Sequence, residues 1–92
     1  MVLGEILKGT GASLDASAAS LEIKGITHDS RRVRPAYAFF ALSGRRVDGH
    51  SFAADAMKHG AAVCICERRI EGLPLTQVVL PNARRALAFA AA

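Results

Sequence analysis

Apolar residues recur along the first third of the chain with the spacing of a helix and then of a strand. Leu3, Ile6 and Leu7 fit one face of a short N-terminal helix. Residues 9–20 are mostly Gly, Ala and Ser, a composition that favours a loop. Apolar and polar residues alternate from position 21 to 27, and this alternation predicts a strand.

The middle of the chain has the pattern of a strand, a helix and a second strand. Residues 37–42 form a nearly continuous apolar run, which is typical of a strand covered on both faces. Ser51 is placed to cap a helix that Gly60 would end, and residues 61–66 follow as another buried strand. Such a βαβ unit predicts two parallel strands and an α/β fold.

A last strand and a last helix complete the pattern. Residues 77–80 form a short apolar strand, and Asn82 can cap a helix that continues through Phe89. No stop signal ends this helix, so we expect it to lead toward a further domain. The predicted apolar core consists of Ile23, Phe39, Ala41, Phe52, Met57, Val63, Ile65 and Val79.

The positive charge of the chain is compatible with more than one kind of surface or ligand. The chain carries 12 Lys and Arg against 8 acidic residues, and five arginines fall between Arg31 and Arg46. A solvated basic surface and a site for an anionic ligand both fit this pattern. A nucleic-acid-binding module fits less well, because the chain has no Trp, one Tyr and no aromatic residue between the arginines.

Length and hydropathy limit the class of protein. Ninety-two residues suffice for one small domain. No apolar run approaches the roughly 20 residues that span a bilayer, and the N-terminus lacks the order of a signal peptide. We therefore expect a cytoplasmic protein with no membrane partner.

The two cysteines have the spacing of structural residues. Cys64 and Cys66 fall on the same face of a predicted strand. Their number and spacing match neither a disulfide framework nor a zinc site. We expect both to be buried, reduced thiols.

No motif of a catalytic or metal site is present. The chain lacks a Walker-type phosphate loop, a dinucleotide fingerprint and a nucleophile elbow. Asp29 and Asp48 are interpreted as turn-forming residues. His28, His50 and His59 do not have metal-ligand spacing. The sequence therefore predicts no catalytic residue and no metal site.

Two polar turns are the best candidates for a binding site. Residues 28–35 and 43–50 each leave the carboxyl end of a predicted strand, where ligands bind in open α/β sheets. If the strands are neighbours, Ser30 and Ser43 converge with Arg45 and Arg46. Hydroxyl, backbone N–H and guanidinium groups suit a diphosphate or the edge of a uracil. The alternative is two unrelated surface turns.

The same turns carry a resemblance to a known family. The order D-S-R…P…F-x-A-L-x-G…D-G-H, from Asp29 to His50, resembles the N-terminal domain of the Mur ligases, which assemble the peptide stem of bacterial peptidoglycan. The resemblance implies a small three-layer α/β domain with a mixed, mostly parallel sheet. It also implies that the domain holds the uridine-diphosphate end of the substrate through His28, Ser30, Arg45, Arg46 and Val47.

The resemblance carries further expectations about the complete enzyme. ATP and magnesium are implied for it, but its ATP loop, catalytic lysine and magnesium ligands belong to later domains, so these residues alone should be inactive and hold no cofactor. The implied partners are a UDP-linked muramoyl-peptide and the ATP-binding domain in cis, with no nucleic acid. The segment 82–88 most resembles the member that adds a diamino acid, rather than the following member, which adds D-Ala-D-Ala. Where the family usually has Pro-Gly-Asp, this chain has Pro35, Ala36 and Tyr37, so the local turn is expected to differ.

Overall fold

A computed structural model describes residues 1–91 as alternating helices and strands. Two short 3₁₀ helices follow the first two strands, at Ser30–Arg32 and Gly49–Phe52. The longer elements, in chain order, are α1 (Leu3–Ile6), α2 (Ala16–Ala19), β1 (Gly25–Thr27), β2 (Tyr37–Phe40), α3 (Ala53–Lys58), β3 (Val63–Cys66), β4 (Gln77–Val79) and α4 (Ala83–Ala91).

The four strands form one parallel sheet in the order β1-β2-β3-β4. The expectation of a mixed sheet is therefore wrong in this respect. The antiparallel pairing that the structure contains is an isolated bridge between Val2 and Glu22, outside the sheet. In a parallel sheet all carboxyl ends lie at one edge, so the two polar turns leave β1 and β2 side by side.

Helices and loops cover the sheet on both faces, which confirms the three-layer α/β fold. Phe40 and Ile65 point toward α1 and α4, in one apolar cluster. Phe39 and Cys64 point toward α3 and the loop after β3, in the other. The residues of β2 and β3 are apolar without interruption because successive side chains point to opposite faces of the sheet and both faces are buried.

Three predicted elements differ in the structure. The segment 9–20 contains α2, whose first turn is capped by Asp15 through a 2.7 Å bond from the Ala18 N–H. Of the strand predicted at residues 21–27, only the last three residues form β1 and pair with β2. The first part instead contacts the N-terminus, where the Ile23 N–H donates to the Met1 carbonyl. Ser51 caps no helix, because Asp48 opens the 3₁₀ turn that leads into α3.

Two residues that were expected in the core, Val79 and Phe52, are exposed in the structure. Val79 is 47 % exposed, while Val78 and Leu80 face the core, so the predicted inward face of β4 is wrong by one residue. Phe52 is 42 % exposed and ends the 3₁₀ turn at Gly49–Phe52 instead of lying within α3. Met57 is only partly buried.

The cysteine prediction is confirmed. Cys64 and Cys66 are both free and fully buried on the same face of β3. A hydrogen bond with Cys66, together with burial, raises the pKa of the Cys64 thiol. Cys64 therefore stays protonated and unreactive at neutral pH.

A left-handed backbone position precedes β2. Gly60 ends α3 with φ +104°, as predicted, and a Cβ there would lie 2.8 Å from Cα of Pro35. Its carbonyl accepts a 3.0 Å bond from the N–H of Ala36, which itself has φ 69°. Ala36 thus adopts the conformation that glycine adopts without strain, at a cost of about 1–2 kcal/mol.

Candidate functional site

A cleft of about 570 Å³ lies beyond the carboxyl ends of β1 and β2. Its walls come from the turn after β1, the loop after β2, α3 with the turn before it, and the first turn of α4. The lining residues are His28, Asp29, Ser30, Arg31, Leu42, Gly44, Val47, Gly49, Phe52, Asp55 and Arg84. The strands β1 and β2 are neighbours, and the two polar turns that follow them line one cleft.

The turn after β1 is built by Asp29. Its Oδ1 accepts the Arg31 N–H at 3.0 Å, which opens the 3₁₀ turn, and its carboxylate also accepts two bonds from the Arg31 guanidinium, at 3.1 and 3.0 Å. These hydrogen bonds lower the pKa of Asp29 to about 2. The interpretation of Asp29 as a turn-forming residue is confirmed. Ser30, first in that turn and only 7 % exposed, lines the cleft, and His28 lines it from an exposed position.

The loop after β2 contributes one of its three predicted contact residues to the cleft wall. Val47 lines the cleft, whereas Arg45 and Arg46 are exposed on the loop and do not line it. Gly49 holds the end of this loop against Leu42, because its N–H donates to the Leu42 carbonyl at 2.7 Å and a Cβ would lie 2.6 Å from the Leu42 nitrogen.

A buried histidine ties this loop to the end of β3. His50 is 5 % exposed, and its Nδ1 lies 2.7 Å from Oδ1 of Asp48 while its Nε2 accepts the Glu67 N–H at 3.0 Å. Because Nε2 accepts, the hydrogen-bond network assigns the proton to Nδ1. Asp48 also accepts from the His50 N–H and from the Arg68 guanidinium, and these bonds, Arg68 first, keep the pKa of its carboxyl well below the ordinary value.

Glu67 connects the same loop to α4. Its own N–H donates to buried His50 at the end of that loop, and its Oε2 accepts the Ala83 N–H at 2.9 Å. The nearby Ser43 hydroxyl first, and then the Ala83 N–H, lower the pKa of Glu67. Ser43 itself is exposed and does not line the cleft. The predicted Asn82 cap of α4 is confirmed, since Asn82 Oδ1 accepts the Arg85 N–H at 2.9 Å.

Sequence reasoning missed Glu67 and Arg84. Glu67 directly follows buried β3, and Arg84 lies in the first turn of the helix that follows β4. Ligands bind beyond the carboxyl ends of parallel strands, and this rule indicates the segments after β3 and β4 as well as the two polar turns.

Two other clefts lie away from the predicted contact residues. One, of about 560 Å³, runs along the free edge of β1 and is lined by Arg32, Arg34 and Tyr37 among others. The other, of about 330 Å³, lies between Thr10 and Phe89. Neither includes His28, Ser30 or Val47.

The described residues do not fit the cofactors that the resemblance implies for a complete ligase. Within residues 1–91, no three His, Cys, Asp or Glu side chains are grouped so as to hold a metal ion. No phosphate loop is present in the sequence for ATP. Among the same residues, none of the helices has the length and hydropathy needed to cross a membrane.

Comparison with known proteins finds one family. Residues 22–92 match the family described as "Mur ligase family, catalytic domain". The diaminopimelate ligase named UDP-N-acetylmuramoyl-L-alanyl-D-glutamate--2,6-diaminopimelate ligase of Syntrophomonas wolfei is 40 % identical over 93 residues, which cover 100 % of this chain and 19 % of that protein. The UDP-N-acetylmuramyl-tripeptide synthetase of Deinococcus radiodurans is 44 % identical over 73 residues, or 77 % of this chain and 15 % of that protein.

Solved structures of the same family share the fold. A crystal structure of MurF from Acinetobacter baumannii is 40 % identical, with a TM-score of 0.67 over 73 % of this chain and 15 % of that one. MurF from Thermotoga maritima, crystallised with ADP, is 30 % identical, with a TM-score of 0.63 over 72 % of this chain and 15 % of that one. The chain thus spans about a fifth of the length of the relatives that it matches. On sequence and fold alike, it belongs to the Mur ligase family.

Proposed function

We propose that this chain is the N-terminal, substrate-holding domain of an ATP-dependent amide ligase of peptidoglycan synthesis. Its ligand is the UDP end of UDP-MurNAc-L-Ala-D-Glu, to which the complete enzyme adds meso-diaminopimelate or lysine. One observation carries the proposal: His28 and Ser30, from the turn after β1, and Val47, from the loop after β2, line a single cleft at the carboxyl ends of a parallel sheet. The names of the relatives, which are 40 % identical over the whole chain, support the same substrate.

The chemistry of the cleft suits recognition rather than catalysis. Ser30 offers a hydroxyl, His28 a ring nitrogen and the loop before Val47 its backbone N–H groups, all of which bind a uracil edge or a phosphate oxygen. Arg45 and Arg46, exposed beside Val47, add positive charge near the cleft mouth. Holding the nucleotide far from the reacting carboxylate lets remote binding energy orient the peptide end at the reaction centre.

The complete enzyme supplies what the chain lacks. ATP and magnesium act in further domains, of which the ATP-binding one is the partner in cis, and the described residues take no part in the transfer step. The ligase is a cytoplasmic enzyme, and its domain here binds neither nucleic acid nor membrane. Alone, these 92 residues should hold UDP weakly, with millimolar affinity, because only part of the substrate is contacted.

A second candidate is the matching domain of the following ligase, MurF, which adds D-Ala-D-Ala. The likeness to a MurF structure at 40 % identity is the observation behind this candidate, although relatives named as diaminopimelate ligases match a larger share of the chain. Expression of the complete gene and ligase assays separate the two. Transfer of diaminopimelate or lysine to the UDP-dipeptide supports the first candidate, and transfer of D-Ala-D-Ala to the UDP-tripeptide supports the second.

Calorimetric titration of the 92-residue chain tests the proposed function. We expect saturable UDP binding, with a shallow salt dependence and no phosphate release from ATP. Tighter binding of DNA than of UDP, with a steep salt dependence, would instead indicate a nucleic-acid-binding module. Absence of UDP binding at any salt concentration would contradict the proposal.

A further inference from the structure

The charged groups of the cleft are not equally available to a ligand. Arg31 is engaged by Asp29 through two side-chain bonds of 3.1 and 3.0 Å, so this pair neutralises itself. Asp55 lies 3.8 Å from Nδ1 of His59 on the same helix. Arg84, on the opposite wall, makes no ion pair of 4.0 Å or less with any residue that the structure describes.

Two backbone N–H groups at the start of α4 already have hydrogen-bond acceptors within the protein. The Ala83 N–H donates to Glu67 and the Arg85 N–H donates to Asn82. What α4 presents to the cleft is therefore the Arg84 side chain rather than these two amides. A guanidinium group binds a phosphate through two parallel hydrogen bonds, which a compact ammonium group does not reproduce.

Glu67 sets where this arginine lies. Its carboxylate accepts the first N–H of α4, and its own N–H donates to buried His50, at the end of the loop that carries Val47. One residue thus joins the two walls that carry Arg84 and Val47. The width of the cleft is thus fixed from behind, by groups that do not touch the ligand.

We propose that Arg84 is the cation that binds the diphosphate of the nucleotide, and that Glu67 is the positioning residue that aims it. This inference rests on the proposed function, because it names the second wall of the same UDP site. The first wall, at Ser30, then binds the nucleoside, so each wall binds a different part of the nucleotide.

The test compares UDP with uridine, measured by NMR titration of the 92-residue chain. We expect Arg84→Ala and Arg84→Gln to weaken UDP binding about 10- to 100-fold and to leave uridine binding unchanged. Arg85→Ala is the matched control, since it removes the same charge one residue along, where the guanidinium lies 5.9 Å from the Phe89 ring centroid and outside the cleft. It should leave both affinities unchanged.

Glu67 variants test the positioning role. Glu67→Ala should lower UDP affinity without changing uridine affinity, and Glu67→Gln should restore much of it because an amide oxygen still accepts the Ala83 N–H. A variant that merely loosened the fold would weaken both ligands together, which would contradict this role.

The outcomes separate the two proposals. UDP binding that Arg84→Ala leaves unchanged, or that Arg85→Ala weakens equally, would overturn this inference alone. Absence of UDP binding by the unchanged chain would overturn the proposed function and this inference with it.

Discussion

The turn after β1 and the loop after β2 use the same local contact but have different roles. Each contains an aspartate, Asp29 or Asp48, whose Oδ1 accepts the N–H two residues on and opens a 3₁₀ turn. Asp29 then pairs with exposed Arg31 and Arg32, its own neighbours. Asp48 instead pairs with buried His50 and with Arg68, 20 residues away.

The difference shows that one local signal can build either an autonomous turn or a tertiary connection. The first turn is held by contacts within four residues, so its conformation should survive changes elsewhere. The second depends on β3 and α4 through His50 and Glu67. Substitutions in the two turns should therefore act on different properties of the domain.

His50→Ala should have the largest effect of the changes considered, because it breaks the long-range connection. The change leaves the Glu67 N–H without its acceptor and opens a cavity, so we expect a loss of about 2–4 kcal/mol in the free energy of unfolding. Urea denaturation measures it. His59→Ala, at the exposed end of α3, is the control and should change stability by less than about 0.5 kcal/mol. Equal losses in both variants would remove the distinction between the two regions.

Ser30→Ala should weaken UDP binding, whereas His50→Ala should lower stability. Loss of one hydrogen bond to a polar or charged ligand costs about 1.5–3 kcal/mol, while the 3₁₀ turn persists because Asp29 holds it. Titration with UDP measures the loss, and Ser17→Ala, on exposed α2, is the matched control. An unchanged UDP dissociation constant would exclude Ser30 from the site.

Ala36→Gly should stabilise the domain, because it relieves backbone strain at the end of the first turn. Ala36 has φ 69°, and replacing it with glycine should raise the free energy of unfolding by about 1 kcal/mol, after the entropic cost of glycine in the unfolded chain. Thermal unfolding measures the gain. A loss of stability would mean that the turn before β2 does not adopt the left-handed conformation.

Acid should have the smallest effect, and it acts on both turns. The pKa values of Asp29 and Asp48 are lowered in the folded chain, that of Asp29 to about 2. Their contribution is therefore complete above the unfolded value near 4 and is lost as pH falls toward 2. The melting temperature of the unchanged chain should fall between pH 5 and pH 2, and less so for Asp29→Asn and Asp48→Asn. An unaltered acid response in both variants would assign it to other carboxylates.

Local signals predicted the parts of the fold that depend on near neighbours. The strands β2 and β3, the end of α3 at Gly60 and the Asn82 cap follow from residues within each element. Pro35, Ala36 and Tyr37 suggested an altered turn, and the structure places Ala36 in the left-handed conformation at φ 69°, where an alanine is strained.

Tertiary contacts explain what could not be predicted. Whether Val78 or Val79 faces the core depends on the register with β3, which a run of three apolar residues does not specify. The role of Glu67 depends on His50 and Ala83, which are 17 and 16 residues away, so no spacing rule reveals it. The candidate cleft was predicted because its turns carry their own polar residues, whereas its far wall at Arg84 was not.

The most direct test of the account maps where UDP binds on the 92-residue chain. Amide chemical-shift changes on titration should be largest at residues 28–30 and 44–47 and in the first turn of α4, three of the segments that form the walls of one cleft. Changes confined to the cleft between Thr10 and Phe89, or to the edge of β1 around Arg34 and Tyr37, would contradict it.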